Sequence, residues 1–504
     1  MCDHRYGPLV AADPACPGDL LRRAAAASPD RAAFVDDQHT VTWSELDARV
    51  STTAAAFVAA GLAPGDRIVL VRPTSIALVV EHLGALRAGL VSCPVNPALT
   101  APELEHVLTD SGAAALVTAD DPPSSLPAWV AVVVAPGPDA PPAADPRLDR
   151  TGDDLAVLLY TSGTSGRPRG AMLSARALVA NVAQVAAITP PLVVADDVVL
   201  LPLPLFHVFG LGAALGVVLW NATTTILAAH FDVTASVEAI ARHGVTVVVG
   251  APPMYAAWSV RTSLADAFAG VRVALSGASA LPAALVREYA SHGVSLFEGY
   301  GMTETAPVLT CNAIGPEPGV RAEPTPGSIG RPLPGVEAKL VDPTGDEVDD
   351  GDPGQLTVRG DNLFSGYWPD GAGAPVDGWF ATGDIAVRGD DGNLWLVGRT
   401  TDLVIVNGFN VYPAEVESVI GQLASVAEVA VVGESDDRTG EAVVAYLVAL
   451  PGSSLDAGVV LTAAARSLAR YKVPSRVELV ESLPHTVTGK VQKWRLTGAT
   501  APAS

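Results

Sequence analysis

Cysteine is scarce in this sequence: only Cys2, Cys16, Cys93 and Cys311 occur among 504 residues. No two of them stand at metal-ligand spacing, and nothing suggests a disulfide framework. A reducing cytoplasm is the expected home. Basic residues are also few, with 31 Lys and Arg against 54 Asp and Glu and a net charge of −23. Nucleic acid is therefore not expected as the main partner, because phosphate backbones call for a basic face; a local basic pocket stays open. No heptad or solenoid period appears. The opening MCDHRYGPLVAADPACPG has no basic region leading into an apolar core, so no signal peptide is expected. One run, Val198 to Trp220, is long and apolar enough to suggest a membrane span. It carries Pro202, Pro204 and His207, and reads instead as a strand, a loop and a buried helix.

What is present is a 49% hydrophobic chain, enough for large cores in about three domains or subdomains. It is organised around Tyr160 to Gly170, YTSGTSGRPRG. The apolar run Leu155 to Leu159 before it reads as a buried strand, and Ala171 to Ile188 after it reads as a helix. Glycines let backbone amides approach an anion, hydroxyls donate hydrogen bonds, and arginines add charge, which is the chemistry of a phosphate cradle. It is not a Walker A loop, since no Gly-Lys-Ser/Thr stands at the required spacing. From the loop alone, a solvated Gly/Ser connection fits equally well.

Around this loop the chain alternates. Thr42 to Ala60 reads as a helix opened by a Thr42–Glu45 capping box. Arg67 to Val71 and Leu90 to Pro94 read as strands, with a helix at Ile76 to Ala88 between them and a second helix start at Thr100 to Glu103. This is the rhythm of βαβ units around a parallel sheet. Pro122 to Asp149 reads mostly as surface loop, with a short strand at Val130 to Val134. Val245 to Val249 and Val271 to Ser276 are further buried-strand runs. After Ile329, GQLTVRG, DPTGDE and GDDGN indicate antiparallel strands and hairpins. Residues 403 to 497 read as a small α+β module, with helices near Pro413 to Leu423 and Ala457 to Leu468. Its strands fall at Val429 to Val432, Val443 to Val448 and Val477 to Val480.

Several further motifs punctuate the chain: LPLPLFHVFGL from Leu201, SGAS from Ser276, GYGMTE from Gly299, GWFATGD from Gly378, GRTTD from Gly398 and PHTVTGKV from Pro484. Taken singly, His207 reads as a core histidine, the glycine motifs as tight turns, and Lys490 as a solvated surface charge. Taken together and in this order, they resemble the motifs of the adenylate-forming superfamily, which includes acyl-CoA synthetases, aryl-CoA ligases, luciferases and peptide-synthetase adenylation domains. The resemblance runs from about Cys16 to Leu496.

The resemblance implies an α/β fold. A large N-terminal AMP-binding domain, 1–398, has parallel and mixed sheets flanked by helices and a small β-rich subdomain at about 329–398. A hinge at 399–402 leads to a small mobile α+β domain, 403–504. The resemblance also assigns roles. Thr161, Ser162, Gly163, Thr164, Ser165, Gly166 and Arg169 wrap the ATP phosphates, with Arg169 standing where relatives commonly carry Lys. Gly277, Ala278, Ser279, Tyr300, Gly301 and Met302 surround adenine, and Thr303 reaches the α-phosphate. Glu304 and the Thr161 hydroxyl hold Mg²⁺. Asp384 and Arg399 take the ribose. Asp402 is the hinge, preceded by Thr401 where many relatives carry Lys. Gly408, Phe409 and Asn410 line the CoA tunnel, and Lys490 is the catalytic lysine. His207, Phe209, Met254 and Gly299 belong to the acyl pocket.

The implied function is an ATP-dependent acid–CoA ligase with ATP, Mg²⁺ and CoA as cofactors. Relatives specific for malonate carry Arg just before the Tyr-Gly motif, where this chain has Gly299. The apolar segments Val248 to Trp258 and Phe209 to Leu215 favour a hydrophobic monocarboxylic acid, fatty ahead of aryl. No counterpart of the Asp that binds an amino acid's amino group is found. Alternatives stay open: an adenylating enzyme that loads a separate acyl carrier protein, an aryl or o-succinylbenzoate CoA ligase, or a non-catalytic nucleotide sensor. Peripheral membrane contact and a homodimer are compatible with the sequence.

Overall fold

The computed structural model describes residues 14–37, 39–119, 126–161, 168–261, 263–317, 319–400, 402–406, 409–436, 438–485 and 491–496. The chain forms two compact units. One comprises Met1–Glu337 with Arg359–Phe380, and the other Ala338–Val358 with Ala381–Ser504.

The first unit holds two large sheets. One has six strands in the order Ala131–Val132, Ala115–Thr118, Arg67–Val71, Val91–Val95, Leu155–Thr161 and Arg169–Ser174. All neighbours are parallel except the last two, which form an antiparallel pair. The other has nine strands, with parallel pairing through its centre: Leu296–Gly301, Val273–Ser276, Val247–Gly250, Val198–Leu201, Thr224–Leu227 and Ala32–Val35. Antiparallel strands close both edges. Such continuous Val/Leu strands need cover on both faces. The helix Ile76–Arg87, buried at every residue but Ala77, shows how completely the helices provide it.

Local chemistry sets several boundaries. The Trp43–Ala59 helix starts from the expected capping box, in which Thr42 Oγ1 accepts from Glu45 N and Glu45 Oε2 accepts from Thr42 N. The expected helix at Ala171 to Ile188 is corrected. Arg169–Ser174 is a strand that returns along Leu155–Thr161, and the helix is Ala175–Ala186. Ser174 Oγ caps the helix by accepting from Ala177 N. The apolar residues before the cap satisfy their backbone through a sheet, a pairing that propensity alone does not specify. Val198 to Trp220 resolves into the strand Val198–Leu201, a loop, a π-helical turn Phe209–Ala214 and the helix Leu215–Asn221. Among the described residues no helix is long and apolar enough to cross a membrane.

Beneath the nine-stranded sheet, Tyr255, Trp258, Phe268 and Tyr289 form a closed circuit of edge-to-face rings with centroids 5.4–5.5 Å apart. The Tyr255 hydroxyl donates to Leu275 O at 2.7 Å and so pins the strand end that delivers Ser276. A second anchor comes from Asn181 in the Ala175–Ala186 helix. Its amide donates to Val308 O (2.7 Å) and accepts from Val308 N (3.0 Å).

The second unit contains a four-stranded sheet, Glu337–Val341, Gly354–Arg359, Phe380–Arg388 and Leu394–Arg399. It also contains a five-stranded sheet centred on Gly440–Ala449. That strand pairs antiparallel with Val426–Asp436 and Val404–Val406, and parallel with Arg476–Leu479. The helices Pro413–Ile420 and Ala457–Ser467 supply Val416, Ile420, Val460 and Ala464 to its core.

Candidate active site

In the first unit the antiparallel pair ends in register, with Thr161 opposite Arg169 and Tyr160 opposite Gly170. Ser162, Gly163, Thr164, Ser165 and Gly166, expected in the phosphate cradle, lie outside the described residues. The pair's flanks are tied down. Tyr160 donates to Asp110 Oδ2 at 2.7 Å, and His106 Nε2 meets Pro168 O at 3.2 Å. The Thr161 hydroxyl has no partner among the described residues. Arg169 places its guanidinium 3.9 Å from the Tyr367 ring centroid.

The adjacent parallel strands Val273–Ser276 and Leu296–Gly301 run in register, Ser276 beside Glu298. They deliver the SGAS and GYGMTE turns to one sheet end. Ala278 has φ +72°, a left-handed conformation that a residue with a Cβ adopts at a cost, so this turn carries backbone strain. Ser276 Oγ is buried with no hydrogen-bond partner among the described residues. Behind the turn, Glu298 Oε1 accepts from Leu281 N at 3.1 Å, and Asn312 Oδ1 accepts from Glu298 N at 2.7 Å. Glu298 is 5% exposed, and burial pushes its carboxyl up to about 8. Thr303 and Glu304 follow on a short 3₁₀ turn, Thr303–Thr305. Glu304 Oε1 accepts the Tyr367 hydroxyl, while Oε2 has no partner among the described residues.

His207 Nδ1 accepts from Phe209 N at 3.2 Å, which leaves the ring proton of the neutral imidazole on Nε2. Burial lowers its basicity, favouring that neutral form. The π-helical turn that follows is a feature frequent at functional sites. It packs closely because Gly212 has no side chain: a Cβ there would lie 2.9 Å from Pro307 Cδ and 3.1 Å from Ala306 O. Phe209 lies over Gly277, where a Cβ would come within 2.9 Å of its ring. His207, Phe209 and the SGAS turn are thereby brought together. Met254 packs on the aromatic core beneath the sheet. A Cβ at Gly299 would make only ordinary contacts, the nearest at 3.7 Å.

Asp384 and Arg399 stand in the second unit as cross-strand partners, ion-paired at 3.0 Å. Asp402 N donates to Arg399 O. Phe409 is 56% exposed and stacks on Tyr471 at 4.8 Å. Asn410 lies in the strand Phe409–Val411, opposite Ile405. Gly408 and Lys490 lie outside the described residues. Sequence reasoning missed Tyr367, Glu298 and the buried amide Asn312; no motif marked them.

A family model for the AMP-binding enzyme matches residues 21–368, and one for the AMP-binding enzyme C-terminal domain matches residues 415–490. The chain belongs to the AMP-binding enzyme family. This AMP-binding enzyme is 35% identical over 480 residues to a feruloyl-CoA synthase of Amycolatopsis sp, spanning 94% of this chain and 96% of that one. It is 33% identical over 545 residues to a long-chain-fatty-acid–CoA ligase of Salmonella typhimurium, spanning 98% and 94%. Its fold superposes with a TM-score of 0.86 on ATP-bound MatB from Rhodopseudomonas palustris, 33% identical over 95% of this chain and 98% of that one. Like the ligases among these relatives, this AMP-binding enzyme is an acid–thiol ligase.

Proposed function

We propose that the enzyme activates an apolar monocarboxylic acid with ATP, releases pyrophosphate, and passes the acyl group from acyl-AMP to the thiol of CoA. The observation that carries this reading is the cluster in the first unit. There the Thr161–Arg169 pair, the Gly299–Glu304 turn and the Phe209–Gly277 contact supply hydroxyl, guanidinium, carboxylate and apolar groups of the kinds that phosphates, a cation and an apolar acid call for.

Among the described residues no group of three or more His, Cys, Asp or Glu is placed to hold a metal ion. A Mg²⁺ site built on Glu304 Oε2 and the Thr161 hydroxyl fits this, because Mg²⁺ with a nucleotide takes one or two carboxylates plus phosphate oxygens. When bound, the ion would neutralise phosphate charge during displacement at phosphorus. Thr303, Thr161 and Arg169 orient the phosphates, and positioning then does most of the catalysis. Neutral His207 offers its Nε2–H to the acid's carboxylate. Asp384 and Arg399 bind the ribose, and Lys490 neutralises the charge shared by carboxylate and α-phosphate. Rotation of the small domain about Asp402 then brings Gly408, Phe409 and Asn410 over the site to guide the CoA thiol, a gating step.

A fatty acid leads as substrate. An aryl acid is the second reading, favoured by the Phe209 ring packed against Gly277 and by the likeness to a feruloyl-CoA synthase. The test is pyrophosphate release with ATP and Mg²⁺, with and without CoA, across acetate, octanoate, palmitate, malonate, benzoate, coumarate and o-succinylbenzoate. CoA-dependent turnover confined to the apolar acids is expected. Turnover of malonate alone would overturn the pocket assignment, and turnover indifferent to CoA would point to a carrier-protein acceptor.

A further inference from the structure

Tyr367 connects the two halves of the nucleotide site. Its backbone lies alongside the strand Arg169–Ser174: Ser365 N donates to Met172 O (2.9 Å), Met172 N to Gly366 O (3.0 Å) and Trp368 N to Gly170 O (2.8 Å). Ala171 and Tyr367 form a bridge pair. The same segment is fixed to the GYGMTE turn, because Phe364 N donates to Glu304 O at 2.9 Å. The Phe364 ring meets Tyr367 edge-on at 5.2 Å. Held this way, the Tyr367 side chain reaches two residues of the site. Its hydroxyl donates to Glu304 Oε1, and its ring face receives the Arg169 guanidinium.

We propose that Tyr367 is a positioning residue: its hydroxyl orients the Glu304 carboxylate toward the cation, and its ring carries Arg169 toward the phosphates. The proposal rests on the reading of Glu304 as the Mg²⁺ residue given above. A carboxylate with one oxygen committed to a donor has one rotational setting, so Oε2 is presented to the ion without further loss of freedom. The ring also explains why Arg stands at position 169. A planar guanidinium stacks flat on an aromatic face with its donors still free at the rim, whereas an ammonium is a point charge with no such plane. Tyr367 thereby makes the geometry of the cation site depend on the setting of Arg169.

The test is calorimetric binding of α,β-methylene ATP to the full-length protein, in EDTA and in excess Mg²⁺, with thermal unfolding as a check on the fold. Tyr367→Phe keeps the ring and removes the hydroxyl. It is expected to bind metal-free nucleotide within twofold of wild type and to lose about tenfold of the affinity gained with Mg²⁺, the usual scale for a partner of a metal ligand. Arg169→Gln, at an exposed position, is expected to do the reverse: weaker metal-free binding with the Mg²⁺-dependent gain kept. Glu304→Gln separates this proposal from the reading beneath it. If Glu304→Gln loses the Mg²⁺ gain and Tyr367→Phe keeps it, the positioning role is wrong and the Glu304 role stands. If Glu304→Gln keeps the gain, both fall. If Arg169→Gln leaves metal-free binding intact, the ring has no part in phosphate binding.

Discussion

Thr161 and Arg169 face each other as the last registered pair of an antiparallel ladder, so the chain leaves the sheet and returns to it at one place. The Thr161 hydroxyl makes no hydrogen bond to any described residue. Thr161→Val keeps the branched shape that strands favour. We expect its unfolding temperature to match wild type and its kcat/KM for pyrophosphate release to fall by about tenfold to a hundredfold. Thr161→Ser should recover most of the loss. Equal losses of stability and activity in Thr161→Val would mark the residue as structural.

Phe209 and Gly277 give a paired prediction. Gly277 is not in the left-handed region, so alanine strains no backbone there; the obstacle is the Phe209 ring, 2.9 Å from the new methyl. Gly277→Ala should push the ring aside at a cost of about 1–3 kcal/mol, and the KM for the acid should rise. Phe209→Leu added to Gly277→Ala should restore part of the lost affinity through a smaller side chain. Strictly additive effects of the two changes on KM would show that the residues do not meet in the working enzyme.

Glu298 sets a pH dependence of stability. Its carboxyl titrates near 8 in the fold against an ordinary 4.5, so between those values the folded protein keeps a proton that the unfolded chain has released. Stability from this group is full below 4.5 and falls as pH rises toward 8. Two histidines act in the opposite direction. His82, held to about 4 by burial, and His207 lose stabilisation as pH falls below 6.5. The range from 6.5 to 8 therefore isolates Glu298 from them. Glu298→Gln cannot ionise, yet its amide oxygen can still accept from Leu281 N. The decline in unfolding temperature from pH 6.5 to 8 should be shallower in Glu298→Gln than in wild type, measured by differential scanning calorimetry. Parallel profiles would remove Glu298 as the cause.

Features written in short stretches of chain were legible beforehand. The Thr42–Glu45 box spans four residues and appears as read. Most helices fell within a few residues of their expected bounds, because apolar spacing and caps are local signals. The strand at Arg169–Ser174 was not legible, because Gly-Ala-Met-Leu suits either state until a pairing partner is known. Nor were the full lengths of Val426–Asp436 and Gly440–Ala449, whose ends carry acidic residues that only the ladder explains. In the candidate site, the motifs named residues by their local pattern, whereas the neighbours those residues touch carry no local mark. Tyr367 meets Glu304 across 63 positions of sequence, and Glu298 was hidden as the residue before a glycine motif.

The first unit is also discontinuous in time. Gln184 donates to Asn362, and Asn362 donates to the Thr305 carbonyl, a connection that spans 178 residues from its first member. During synthesis, a nascent chain that has reached residue 337 has made every large strand of this unit but not the segment 359–380 that closes it. Residues 338–358, which belong to the other unit, must emerge first. The ribosome therefore delivers the pieces of the two units interleaved, and the strand beginning at Arg169 waits with one edge uncovered until Ser365 to Trp368 arrive. Ending a recombinant fragment at residue 337 would reproduce that waiting state, with the Thr305 carbonyl and the edge of the phosphate strand both lacking their partners.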